Sequence, residues 1–164
     1  MSLSYPPNNT ILIIYFAVRV KDLFETGKEY PWSRPNRCPK CKGIRLWGHG
    51  FAGRYFQGFV QRLWVKKYLC PDCKSVHTMR PSTHWRRFQS SRFVILRSLI
   101  DKIRHNKWRK SLPRQNQQYW FSGLIFQASR QKNIKLPTVE VIGELLREAI
   151  IPVSHSIHCE CLRL

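Results

Sequence analysis

The chain has 164 residues, of which 43% are apolar and 13% aromatic. That is enough to bury a core and excludes a disordered tail. Lys and Arg number 29 against 9 Asp and Glu, a net charge of +20. Self-repulsion opposes such an imbalance and a fold does not need it; its usual reason is a polyanionic partner, most often nucleic acid. The longest apolar run, residues 11–18, has eight residues. A membrane-spanning helix needs roughly 18–20, so no membrane partner is expected. No basic segment precedes that run, so a signal peptide is not expected either.

In chain order, Pro6-Pro7-Asn8-Asn9 reads as an irregular start. Residues 11–18 are β-branched and aromatic and predict a buried strand. A helical turn is predicted over 21–27, ending at Gly27. Tyr30-Pro31-Trp32-Ser33-Arg34-Pro35 predicts an extended lead-in, because a residue before proline avoids the α region. Strand-like pieces follow near 44–47, 54–56, 63–69 and 76–80. From residue 90 the period changes. Phe93, Leu96, Ile100 and Ile103 form a helical stripe after an N-cap at Ser90 or Ser91. A second helix is predicted over 114–130 with Trp120, Leu124 and Ala128 inward and Gly123 interrupting it. A third is predicted over 139–150 with Val139, Ile142, Leu146 and Ala149 inward, after Thr138. The expected fold is α+β: an N-terminal strand and lead-in over 1–36, a small antiparallel zinc ribbon over 37–89, and about three helices over 90–164. Within the last segment a helix-turn-helix turning at Gly123 and a single long helix are the two arrangements.

Cys38-Pro39-Lys40-Cys41 and Cys70-Pro71-Asp72-Cys73 are the strongest signal. Each C-x-x-C suits a tight turn that aims two thiolates at one ion, and Gly43 is expected to supply a positive φ where the chain reverses. Two such turns on neighbouring hairpins make a four-sulfur tetrahedral site. Zn²⁺ accepts that geometry without redox chemistry, and a closed four-Cys site is structural. Cys38, Cys41, Cys70 and Cys73 are therefore the expected ligands of one zinc, in a reducing cytoplasm where thiols stay free. His49 and His77 lie near the two turns. Cys159 and Cys161, with His155 and His158, form a weaker second group read as ordinary thiols.

Charge is unevenly spread. Residues 1–36 are net +1, 37–80 carry ten bases and one acid, 81–137 carry thirteen and one, and 138–164 are net −2. The candidate phosphate contacts are Arg45, Arg54, Arg62, Lys66 and Lys67 in the ribbon, Arg86 and Arg87 after it, and Arg104, Lys107, Arg109, Lys110 and Arg114 around the first two predicted helices. The ribbon aromatics Trp47, Tyr55 and Trp64 are expected to pack its small core, and Gln115, Asn116, Gln117 and Gln118 are placed to read base edges. Glu140, Glu144 and Glu148 form an acidic stripe, read as a solvated face or a dock for the basic centre. Cleavage with two metals needs clustered carboxylates, yet between residues 37 and 137 only Asp72 and Asp101 occur. A binding protein, not an enzyme, is expected.

The run Cys38–Cys41, Arg45-Leu46-Trp47-Gly48-His49-Gly50, Arg54-Tyr55, Val65 to Cys73, His77-Thr78 and Pro81 resembles the zinc-ribbon segment of bacterial insertion-sequence transposases. It also resembles small zinc-ribbon proteins encoded beside transposase genes. The resemblance covers about a third of the chain and implies zinc on the four cysteines and DNA contact by the ribbon and following helices. No catalytic domain follows, which favours an accessory or regulatory DNA-binding role, cytoplasmic and nucleoid-associated, with a transposase or other protein as a further partner. The alternatives are an RNA-binding or ribosome-associated ribbon, and an adaptor in which Ile150-Ile151-Pro152 recruits a partner enzyme.

Overall fold

A computed structural model describes residues 12–156. The chain divides into two compact units, one reaching to Ser90 and one beginning at Ser91.

The first unit is built on a four-stranded sheet. Its strands are β1 (Leu12–Phe16), β2 (Trp47–Arg54), β3 (Leu63–Leu69) and β4 (Val76–Pro81), in the order β1-β4-β3-β2. β2 pairs antiparallel with β3, and β3 with β4, but β1 runs parallel to β4 from Leu12 opposite His77 to Phe16 opposite Pro81. The sheet is therefore mixed, and the N-terminal strand shares it with the segment that carries the cysteine pairs. Its β-branched and aromatic side chains find their partner strand 65 residues on, which local pattern does not reveal. The short strands expected near 44–47 and 54–56 are one strand, β2, filling the gap between them. Gly48, Gly50 and Gly53 obscured it, and a bulge between Gly48 and Phe51, with Gly50 at φ 75°, explains why glycine sits mid-strand.

Helix α1 (Val20–Thr26) ends at Gly27, which holds φ 58° as the positive-φ cap that only glycine adopts at low cost. It drops Leu23 onto Phe56, Leu63 and Val65 to close one apolar cluster. A second gathers Cys38, Leu46, Tyr68, Cys70 and Met79, with Phe16 and Trp32 packed against both. Arg80 is buried at the end of β4. Its Nε donates to the carbonyls of His84 and Trp85 and its Nη2 to that of Phe88, and its guanidinium lies over the Phe56 ring. Burial pushes this arginine down to about 10; the three carbonyls replace the water it has lost.

The second unit holds α2 (Arg92–His105), α3 (Arg114–Lys132) and α4 (Val139–Arg147). The Ser91 hydroxyl accepts from the Val94 amide and starts α2. Asn106 and Asn133 end α2 and α3 in left-handed geometry, which asparagine tolerates better than most residues. The expected buried face of α2 is displaced: Ile95, Ser98 and Leu99 are buried, while Phe93 is 68% exposed. In α4 the buried residues are Val141, Ile142 and Leu145, and the helix stops at Arg147 because Ala149 turns to φ 57°. Trp120, Leu124 and Ala128 point inward as the pattern of α3 indicates.

α3 runs unbroken through Gly123, so there is no helix-turn-helix turning at that residue. Gly123 is there for close approach: a Cβ on it would overlap the Val153 carbonyl. Ile150, Ile151 and Pro152, the recruiting segment of the adaptor alternative, are buried within this unit. Gln127 fastens that segment by donating from Nε2 to the Ser154 carbonyl at 2.6 Å. The acidic stripe is also engaged within the unit, since Lys132 of α3 pairs with Glu144 and Glu148 of α4. Cys159, Cys161 and His158 lie outside the described residues.

Candidate metal centre and basic faces

The two C-x-x-C turns have the same construction. In the first, the Cys38 amide donates to the Gly43 carbonyl at 2.8 Å; in the second, the Cys70 amide donates to the Ser75 carbonyl at 3.0 Å. The residue after each pair, Lys42 or Lys74, takes the positive φ that reverses the chain. Gly43 does not, contrary to expectation; it is needed for room, because a Cβ there would strike Asp72 of the other turn.

These turns bring the sulfurs of Cys38, Cys41, Cys70 and Cys73 within 4.8 Å of one another. Cys38 and Cys73 approach to 3.6 Å and Cys41 and Cys70 to 3.5 Å, far longer than the roughly 2.05 Å of a disulfide. A tetrahedron with metal–sulfur bonds of about 2.3 Å has edges of about 3.8 Å, so the spacing fits a four-sulfur metal centre. Cys38 and Cys70 are buried, Cys73 is half-buried and Cys41 is exposed.

Proton affinities in the cluster diverge. Burial pushes the Cys73 thiol up, but the Ser75 side chain and amide, with the sulfurs of Cys38 and Cys41, outweigh it and bring it down to about 6. The Gly43 amide pulls Cys41 down, yet burial and the sulfurs of Cys70, Cys38 and Cys73 outweigh that and push it up to about 12. Four thiolates this close repel one another unless a cation lies among them. The four cysteines can therefore hold a metal ion.

One supporting residue was not singled out as such by the sequence. His77 is fully buried on β4, opposite Tyr68 of β3, and its Nε2 lies 3.2 Å from the Cys38 sulfur. Burial, and then the charge of Lys40, lowers its proton affinity and favours the neutral imidazole, which can donate one N–H to a metal-bound sulfur. The signal was its position four residues after the second cysteine pair. His49 is exposed on β2.

The candidate phosphate contacts sort into different situations. The Arg45 guanidinium is paired with Asp72, and Arg109 with Asp101 at 2.6 Å, so the two acids of the basic block each neutralise a candidate. Lys66 and Trp64 of β3 share a half-buried face of the sheet with Phe51 of β2, and Arg62, just before β3, is exposed beside it. Lys66 Nζ lies 4.4 Å from the Phe51 ring centre and Arg62 lies over Trp64 at 5.4 Å. Lys28, which the sequence did not single out because its segment is near neutral, joins them at 4.4 Å from Trp64. Lys67 follows Lys66 and so occupies the other face of β3. Arg54 is exposed at the end of β2 and donates to the Gly53 carbonyl. Arg86 is half-buried, its amide bound to the Tyr15 hydroxyl, and Arg87 is exposed at φ 69°. In the second unit Arg104, Lys107, Lys110 and Arg114 are exposed.

The aromatics depart from expectation. Trp47 and Tyr55 are more than half exposed and Trp64 is half-buried, while Phe56 and Trp85 fill the interior and Trp32 packs against it. Gln117, expected to read base edges, is buried; Gln115, Asn116 and Gln118 are exposed. No helix among the described residues is long and apolar enough to cross a membrane. Comparison of the chain with protein-family models, with curated proteins and with solved structures finds no match.

Proposed function

We propose that this chain is a zinc-bearing nucleic-acid-binding protein, with duplex DNA its preferred partner, that acts by binding and not by catalysis. The observation that carries it is the β2–β3 face, where Phe51 and Trp64 are overlaid by Lys28, Arg62 and Lys66. No acid pairs with these three cations among the ion pairs of the described residues. Cations held over aromatic faces keep their charge toward solvent while their stems are ordered, which suits a phosphate backbone. One structural zinc on Cys38, Cys41, Cys70 and Cys73 would tie the two turns that carry β2 and β3 into the sheet. A non-catalytic role is supported by the lack of a nucleophile motif and by the ion pairing of Asp72 and Asp101. The resemblance of the cysteine-bearing segment to transposase-associated zinc ribbons supports a role as an accessory factor of a mobile element.

The test is fluorescence anisotropy with zinc-loaded protein and labelled duplex DNA at several salt concentrations. Affinity falling by tenfold or more between about 50 and 200 mM salt is expected. Affinity that does not change with salt would overturn the proposal, and tighter binding to RNA of the same sequence would move it to the RNA reading.

A further inference from the structure

The corner between α2 and α3 holds a cavity of about 400 Å³ lined by Asp101, His105, Lys107, Trp108 and Arg109. That volume lies within the roughly 300–1,000 Å³ of small-ligand sites. The lining combines one large flat ring, two fixed cations, an imidazole and a carboxylate. An inorganic anion would have no use for the indole, and an apolar ligand none for Lys107 and Arg109. A nucleotide uses a ring, a carboxylate and a cation together.

The corner is also held in shape before any ligand arrives. Gln117 is fully buried on α3. Its Oε1 accepts from the Arg109 amide at 2.9 Å and from the Ser98 hydroxyl at 2.8 Å. Its Nε2 donates to the carbonyls of Arg109 and Leu112 at 2.9 and 3.0 Å. One side chain thus holds the loop at Arg109 and Leu112 and ties it to Ser98 of α2. Trp108 stands edge-on to Phe121 at 84°, with Lys102 Nζ 4.6 Å from its ring centre, so the plane of the indole is set. Asp101 does the same for Arg109. Ordering these groups in advance lowers the cost of binding.

Resting on the nucleic-acid reading above, we infer that this corner receives one unpaired nucleotide of a nucleic-acid strand. The base lies against Trp108, the Asp101 carboxylate, one oxygen of which holds Arg109, offers its other oxygen to an exocyclic amine, and Lys107 meets the adjoining phosphate. Bases inside a duplex are stacked and cannot reach an indole, so the corner distinguishes a strand with a displaced base from a perfect duplex.

The experiment compares a labelled perfect duplex with the same duplex carrying one bulged nucleotide, using full-length zinc-loaded protein at fixed salt. The bulged duplex is expected to bind about tenfold tighter. Trp108→Ala brings the ratio of the two affinities close to one, and Trp108→Phe retains part of the preference. Iodouracil at the bulge is expected to photo-cross-link to the peptide containing Trp108, a measurement on the unmodified protein that stands even if Trp108→Ala does not fold. Equal affinity for the two duplexes, without a cross-link, overturns the pocket and leaves the DNA-binding reading intact. Binding to neither at low salt overturns that reading.

Discussion

Lys42 and Lys74 occupy equivalent places in the two cysteine turns: each follows the second cysteine of its pair, and each holds left-handed backbone, at φ 64° and 57°. A lysine in that conformation costs roughly 1 kcal/mol relative to glycine. Lys42→Gly and Lys74→Gly are therefore expected to leave the protein as stable or to stabilise it by up to about 1 kcal/mol. A β-branched residue there should destabilise it by 1 kcal/mol or more, since its Cβ branching crowds the same backbone. Denaturant melts of the metal-loaded protein check both, and a stabilising Lys42→Val would contradict the geometry.

Metal removal should expose how far the first unit depends on its sulfur cluster. Cys38 and Cys70 are fully buried beside Leu46, Tyr68 and Met79, so emptying the site leaves crowded thiols inside an apolar cluster. One equivalent of zinc is expected by metal analysis, and chelation should lower the melting temperature sharply, by an amount corresponding to several kcal/mol. Metal-held thiolates titrate below the ordinary thiol value of about 8.5, so their stabilisation is present near neutral pH and is lost as pH falls. Zinc release followed with a chromophoric chelator across an acid titration measures this.

Charge alone does not predict which arginines matter for nucleic-acid binding. Arg45 is spent on Asp72, whereas Arg62 and Lys66 sit over aromatic rings. Arg62→Ala and Lys66→Ala should each reduce the salt slope of duplex binding by about one. Arg45→Ala should change that slope less and should lower the stability of the cysteine turns instead. An equal loss of slope in all three variants would argue against the ordering.

Gly123 gives a test confined to the helical unit. Its missing side chain is the space taken by the Val153 backbone, which cannot swing away as a side-chain tip does. Gly123→Ala is expected to destabilise this unit by about 3 kcal/mol, despite the better helix propensity of alanine. Thermal denaturation followed by circular dichroism at the helical band measures it. A gain in stability would show that α3 does not pack on residues 150–153.

Local chemistry was readable in advance. The cysteine spacings gave the four sulfurs before any fold was known, because each C-x-x-C turn is complete within six residues. Gly27, Ser91 and the inward positions of α3 were legible for the same reason: caps and helical period depend on near neighbours. The buried face of α2 was missed by one or two positions and that of α4 was met only at Ile142, since an apolar stripe such as Phe93-Leu96-Ile100 does not show which of its edges meets another helix.

The sequence by itself determined which four cysteines gather, the excess of positive charge and the order of most strands and helices. Only the tertiary structure decided that β1 joins β4, that Asp72 and Asp101 each claim an arginine, that His77 reaches Cys38, and that Gln117 turns inward to hold a loop. Each of these joins residues from different turns, strands or helices. Which groups meet there is fixed by how whole elements pack and desolvate one another, information that no short stretch of chain contains.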